Sequence, residues 1–267
     1  MSNKLNSFYN IRTLEELSEQ KTSIHNINAT VKVLLTLVFL IITISFDKYN
    51  LSAIVPLIFY PIIIMTLGDI PLLELAKKTI IAMPLIIGVG IFNPIIDTAP
   101  LISLSWINIS GGWISFISII MKGILTIVGA QLLIATTGIA KIALSLRALK
   151  VPKIFVVQLL FTYRYIFIFL EEIGRSIRAY SLRSYKSKGI RINELGSLLG
   201  GLLMRTLDRA ERIYGAMSAR GFTGEYYIGK ENKLNTQDVI YFLGWTAYFL
   251  FVRYYNVAEF MGGLINK

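Results

Sequence analysis

Arg205, Arg209 and Arg212 recur at intervals of four and three, the spacings that bring side chains onto one face of a helix. The stretch from about Asn193 to Ala219-Arg220-Gly221 is therefore predicted to be a helix with a cationic stripe. Its other side is apolar or small. It carries Leu199, Leu203, Leu207, Ala210, Tyr214 and Met217, and Gly196 and Gly200 stand four apart, an interval that lets a second helix come close. Gly221 lacks a Cβ and suits the left-handed residue that ends a helix, while Arg220 sits where a cation complements the helix's negative end. A preceding helix is expected from about Glu171 through Arg175, Arg178 and Arg183 to Lys188-Gly189. The chemistry on offer is that of guanidinium groups: five donors in a fixed fork, always charged, suited to an acidic groove. A solvated basic helix with an ordinary cap would carry the same residues, so the remainder of the chain decides between the two.

Catalytic and metal-ligating sets are missing from the sequence. There are no cysteines, hence no disulfides or thiolate ligands, and the single histidine, His25, is expected in a polar arm near the lipid headgroups. No G-x-x-x-x-G-K-[ST] phosphate loop and no Gly-x-Ser-x-Gly elbow occurs. Few acids fall in the apolar runs, so a proton- or sodium-coupled carrier would lack its usual relay carboxylates. The expectation is a non-enzyme with no bound cofactor and no metal site of its own.

Of the 267 residues 54% are hydrophobic, and the mean hydropathy is +0.61. Several apolar runs approach bilayer length, which separates this basic chain from a nucleic-acid binder. The net charge of +11 is concentrated: residues 141 to 233 hold seventeen lysines and arginines against seven acids. A surplus of that kind marks a region kept on the cytoplasmic side.

In chain order, residues 1–27 read as a polar cytoplasmic arm without the apolar centre of a cleavable signal. Residues 28–137 read as four spans: Asn28, as cap, to about Phe46, with Lys32 snorkelling to the headgroups; Leu51 to Leu67, interrupted by Pro56 and Pro61; Thr79 to Ile96, after a short amphipathic turn Leu72 to Lys78; and Trp113 to Thr137. Lys122 falls inside the fourth, in its outer half, and is either functional, snorkelling to the headgroups or paired with a neighbour. Residues 138–224 form the amphipathic region, opening with an interfacial run that carries Lys141, Arg147, Lys150 and Lys153. Ile154 to Leu170 is apolar enough to cross, yet crossing would carry Arg175 to Arg191 outside, so a helix dipping into the inner leaflet is expected. Residues 225–267 supply a polar link and a last span, about Asp238 to Val252. The expected fold is an all-α integral membrane protein with about five transmembrane helices and long amphipathic cytoplasmic helices.

The helix reading Leu198-Leu199-Gly200 through Thr206-Leu207-Asp208-Arg209-Ala210-Glu211-Arg212 to Ala219-Arg220-Gly221 resembles the second signature of the transmembrane T components of energy-coupling factor (ECF) transporters. Leu182-Arg183-Ser184 corresponds to the first signature, 37 residues earlier, with Leu182 where many members have alanine. Phe92-Asn93-Pro94, Ile109-Ser110-Gly111-Gly112-Trp113, Leu133 to Gly138 and Gln158 to Tyr165 are similar to the cobalt-type, or CbiQ, branch. The resemblance implies a plasma-membrane scaffold without a catalytic site. It would join two cytoplasmic ABC-type ATPases, alike or different, to a small membrane subunit that binds cobalt or nickel. Carried over residue by residue, Leu182, Arg183, Ser184, Ala219, Arg220 and Gly221 would couple to the ATPases, with Arg205, Arg209 and Arg212 as a supporting basic face. A T component serving a vitamin-type subunit is the alternative, and a self-sufficient carrier or channel a more distant one.

Overall fold

The computed structural model describes residues 15–97, 100–104, 107–183, 192–222, 224 and 234–255. The chain divides into two compact units, one of Thr13–Ile142 with Asn232–Lys267, the other of Met1–Arg12 with Ala143–Glu231.

The first unit is a helical bundle. Helix α1 (Ala29–Ser45) starts at Asn28, whose side chain accepts from the Thr30 amide at 2.9 Å, satisfying one of the donors a helix start leaves open. The next apolar stretch is interrupted at Pro56, as α2 (Leu51–Ile54), a 3-10 turn (Val55–Ile58) and α3 (Phe59–Leu67), but not at Pro61, which sits in the first turn of α3 where a missing amide breaks no intrahelical bond. There follow α4 (Leu72–Gly90), α5 (Phe92–Ile96), a two-stranded antiparallel hairpin of β1 (Pro100–Leu104) and β2 (Ile107–Ser110), and α6 (Gly111–Thr137). The chain's last described helix, α10 (Thr236–Tyr254), returns to this bundle.

The core forms where α1, the α2–α3 stretch, α6 and α10 meet, around Leu35, Phe39, Ile54, Leu57, Leu132 and Phe249. Phe39 and Phe249 lie 5.4 Å apart between ring centroids, and the Tyr60 ring reaches both at 4.7 and 5.2 Å, distances at which tilted and edge-on aromatic pairs attract. Close approach needs glycine here. A Cβ on Gly129 would stand 2.8 Å from the Phe39 ring, and one on Gly112 would stand 2.5 Å from the Asn93 carbonyl oxygen. The Phe92-Asn93-Pro94 block is thus seated on Gly111-Gly112, and the Gly112 amide donates to the Asp97 carbonyl at 3.1 Å. Backbone cannot yield as a flexible side chain does. Gly112→Ala is therefore expected to cost about 2 kcal/mol of stability, within the usual range for overpacking, read as an earlier loss of monodisperse protein on heating in detergent.

The outside of the bundle is apolar, with Ile81 and Ile96 77% and 78% exposed and Ile41, Ile44 and Leu85 similarly bare. A belt of that kind belongs in lipid. By length and composition Leu72–Ile96, Gly111–Thr137 and Lys153–Arg183 suffice to cross a membrane, and Ala29–Ser45 and Leu51–Leu67 are shorter apolar helices.

Four readings change. The amphipathic turn expected at Leu72 to Lys78 and the span after it are one helix, α4, because Pro71 sets its start and Glu74 pairs with Lys77 on one face at 3.2 Å. Lys32 does not snorkel; it is 4% exposed and donates to the carbonyls of Thr136 (2.9 Å) and His25 (3.3 Å). His25 is buried too, in the turns that precede α1. Among the described residues the all-α architecture carries one local exception, the hairpin between α5 and α6, in a stretch whose alternation of leucine or isoleucine with serine or asparagine is a strand signal. Lys122 takes the paired alternative, donating to the Phe46 carbonyl at 2.5 Å, and Arg253 reaches the Ser45 carbonyl at 3.3 Å. Two cations thereby complement the carbonyl end of α1.

Candidate functional site

The second unit contains α8 (Lys153–Arg183) and α9 (Ile192–Ala219); α7 (Ile139–Ala148) leads into it. Gly138, at φ +78°, and Lys150, at φ +67°, bracket α7. The segment expected to dip into the membrane and the first basic helix are a single 31-residue helix, because nothing after Pro152 interrupts it. Its described end is Arg183; Ser184 and the expected extension to Lys188-Gly189 lie outside the described residues.

At the far end of α9 the sequence reading is realised atom by atom. The Phe222 amide donates to the Met217 carbonyl and the Gly221 amide to the Ser218 carbonyl, both at 3.0 Å. Gly221 takes φ +80°. This is the Schellman arrangement, in which a left-handed residue lets the chain turn back on the last carbonyls. Ala219 ends the helix, and Arg220 is held at its C-cap, exposed. Arg183 is likewise exposed in the last turn of α8, beside Leu182 at 86% exposure.

Between these ends the helices are tied at two places. Near the start of α9, the Tyr180 hydroxyl donates to the Glu194 carboxylate. At its middle, Glu172 accepts from Arg175 Nη2 at 2.8 Å and pairs with Arg205 Nε at 3.3 Å, and Arg205 Nη2 donates to Ser176 Oγ at 2.9 Å. Arg205 is therefore turned toward α8, and the three-arginine stripe is not one outward surface. Arg209 and Arg212 line a cleft of about 700 Å³ between the diverging parts of α8 and α9, opposite Phe161, Tyr165 and Phe169. On the apolar side of α9, Leu199, Leu203 and Leu207 are more than half exposed and nothing lies within 4 Å of a Cβ on Gly196 or Gly200, whereas Ala210, Tyr214 and Met217 line the cleft with Arg209 and Arg212. Since Tyr180 fixes α8's end to α9's start, Arg183 and Arg220 occupy opposite ends of α9, about 40 Å apart at 1.5 Å per residue.

A sequence profile of the CbiQ family, described as cobalt transport protein, matches residues 20–229. The chain belongs to this family. It is 25% identical over 232 residues to the uncharacterised protein MJ1571 of Methanocaldococcus jannaschii, covering 82% of this chain and 78% of that one. It is 26% identical over 258 residues to MJ1089 of the same organism, covering 89% and 91%. The nickel permease LarQ of Lactiplantibacillus plantarum is 25% identical over 120 residues, or 45% of this chain and 44% of LarQ.

This CbiQ-family chain also has a polar knot that the sequence reading missed. Where α1 begins, α6 ends and α10 begins, Asp238 is 5% exposed. Its two carboxylate oxygens accept from the amides of Asn28 and Asn235, each at 2.8 Å. Lys32 and His25 complete the knot; Thr22 Oγ1 is 2.7 Å from His25 Nδ1, and His25 Nε2 is 3.3 Å from the Ala135 carbonyl. A neutral ring donating through Nε2 and accepting at Nδ1 satisfies both contacts. Burial, then the nearby Lys32 and Lys141 charges, outweigh the Ala135 carbonyl and hold the His25 pKa below 6.5. A base with a lowered folded pKa lends stability in full above its unfolded pKa, and that contribution is lost as pH falls below about 6.5 toward the folded value. The melting temperature in detergent is accordingly expected to fall between pH 7.5 and 5.5, and His25→Gln to make the decline shallower.

Proposed function

We propose that this CbiQ-family membrane protein is the T component of an ECF-type importer. In this reading it lies in the plasma membrane with α8 and α9 facing the cytosol, couples ATP hydrolysis by two ABC-type ATPases to movement, and passes that movement to a small membrane subunit that binds cobalt or nickel. The observation that carries the proposal is the placement of Arg183 and Arg220: exposed residues, one in the last turn of α8 and the other at the C-cap of the 28-residue α9, too far apart to share a single small pocket. Two ATPase subunits offering one acidic groove each suit that spacing. Family membership supports cobalt transport, and the likeness to a nickel permease supports a divalent transition metal as cargo.

The scaffold contributes position and force, and the chemistry of hydrolysis belongs to the ATPases. The Schellman end fixes Arg220 at a rigid helix terminus, so a displaced groove drags α9 rather than a loose tail. The bare apolar side of α9 and its unused glycine interval leave room for a membrane partner's helix. Reconstitution into liposomes tests the role. Cobalt flux is expected only when the ATPases, the substrate subunit and ATP are all present; flux through this chain alone, without ATP, would mark it as a channel or carrier.

A further inference from the structure

The α8–α9 pair is held together by very little apolar packing. Over its 31 residues α8 buries only Val156 and Gly174, and among the described residues of α9 only Leu202 is buried. So few interlocking side chains determine a crossing angle weakly. The polar ties therefore decide it. Tyr180 with Glu194 fixes one end, and Glu172 fixes the middle. Its carboxylate is the shielded partner, 21% exposed against 53% for Arg205, and it joins two guanidinium groups, one from its own helix and one from α9. Ser176, a turn further along α8, takes a second hydrogen bond from the same Arg205. The tie lies between two clefts shared by the helices, one of about 700 Å³ beyond Arg205 and one of about 560 Å³ toward Tyr180 and Glu194.

We propose that Glu172 is a positioning residue that sets the angle at which α9 crosses α8, and with it the direction in which Arg220 is carried. The proposal rests on the coupling role given above to Arg183 and Arg220. Glu172 acts through Arg205. Arg220 is about 22 Å beyond Arg205 along the helix, so a tilt of about 10° at the tie displaces it by about 4 Å. A shift of that size takes a guanidinium out of hydrogen-bond reach of a fixed groove.

The chain has no cysteine, so spin labels at Leu182→Cys and Ser218→Cys report one inter-helix distance. A narrow distribution near 40 Å is expected for the otherwise unaltered chain. Glu172→Ala, Glu172→Gln and Arg205→Ala are each expected to broaden or shift it by about 5 Å, and the Glu172→Ala/Arg205→Ala pair by no more than either alone, because both remove the same tie. In the assembled transporter, ATP-driven cobalt uptake is expected to fall about tenfold, with a matching fall in the ATPases recovered on purification. Unchanged distances in both Glu172 variants, or additive shifts in the double variant, would overturn the assignment. If the unaltered chain retains no ATPases, the coupling role fails, and the distance measurement on the chain alone still decides the role of Glu172.

Discussion

Arg220→Glu and Arg183→Glu are expected to insert into the membrane in normal amounts and to lose the ATPases on purification. Each residue is solvent-exposed in the isolated chain, so its replacement removes no side-chain hydrogen bond or ion pair among the described residues and is expected to leave the fold intact. In a docked groove the same group would be desolvated and multiply hydrogen-bonded. Reversing its charge then costs about 2 to 5 kcal/mol of the interface, since the acidic partner is left buried and unpaired. At 1.4 kcal/mol per decade that is a loss of roughly thirty- to several-thousand-fold in affinity. Arg220→Lys is expected to fall between, because an ammonium keeps the charge and loses the fork. Arg209→Glu serves as the internal control. It alters the same helix within the cleft and is expected to retain the ATPases. Normal ATPase recovery from both Arg183→Glu and Arg220→Glu would remove the docking role.

The second large effect is expected at Asp238→Ala, and it concerns stability rather than assembly. The carboxylate caps two helices at once, accepting from its own capping box at Asn235 and from the Asn28 amide at the start of α1. Its removal leaves two buried amide donors, those of Asn28 and Asn235, unsatisfied. Leaving a buried donor unsatisfied costs about 1 to 3 kcal/mol, so the two together cost about 2 to 6 kcal/mol, a large share of the roughly 5 to 15 kcal/mol that holds a domain folded. The expected result is a sharp fall in the detergent melting temperature and in membrane yield. Asp238→Asn, which keeps one acceptor and forfeits the charge, is expected to lose less. Near-normal melting of Asp238→Ala would show that water replaces the carboxylate at little cost.

These two sites differ in how far the sequence alone could find them. The end of α9 was legible because everything that shapes it is local: arginine and glycine in succession after a run of helix formers determine a Schellman turn within a few residues. The interruption at Pro56 and the cap at Asn28 were legible for the same reason. Asp238 was not, because its partner lies 210 residues away, and a lone acid at the start of an apolar run reads equally well as an ordinary helix-start residue. Lys32 misled in the same manner, since snorkelling and internal pairing place identical demands on composition. The continuity of α8 was hidden by a change of composition along the helix. Its first half is apolar and its second half basic, so hydropathy divides what the backbone leaves whole. The spacing of the three arginines placed them on a helix, but only the structure shows that Glu172 turns Arg205 toward α8 while Arg209 and Arg212 line the cleft together with Ala210, Tyr214 and Met217.

Proximity of the two helix ends to the ATPases is the central claim, and site-directed crosslinking in native membranes tests it most directly. Leu182 and Ser218 are exposed beside Arg183 and Arg220, and the absence of native cysteines makes a photo-activated thiol crosslinker specific to whichever of the two is replaced. The expected result is a crosslink from each position to an ABC-type ATPase, lost on Arg183→Glu for the first and on Arg220→Glu for the second. Capture of no ATPase from either position, with both cysteines reached instead by an impermeant reagent added outside intact cells, would contradict the account.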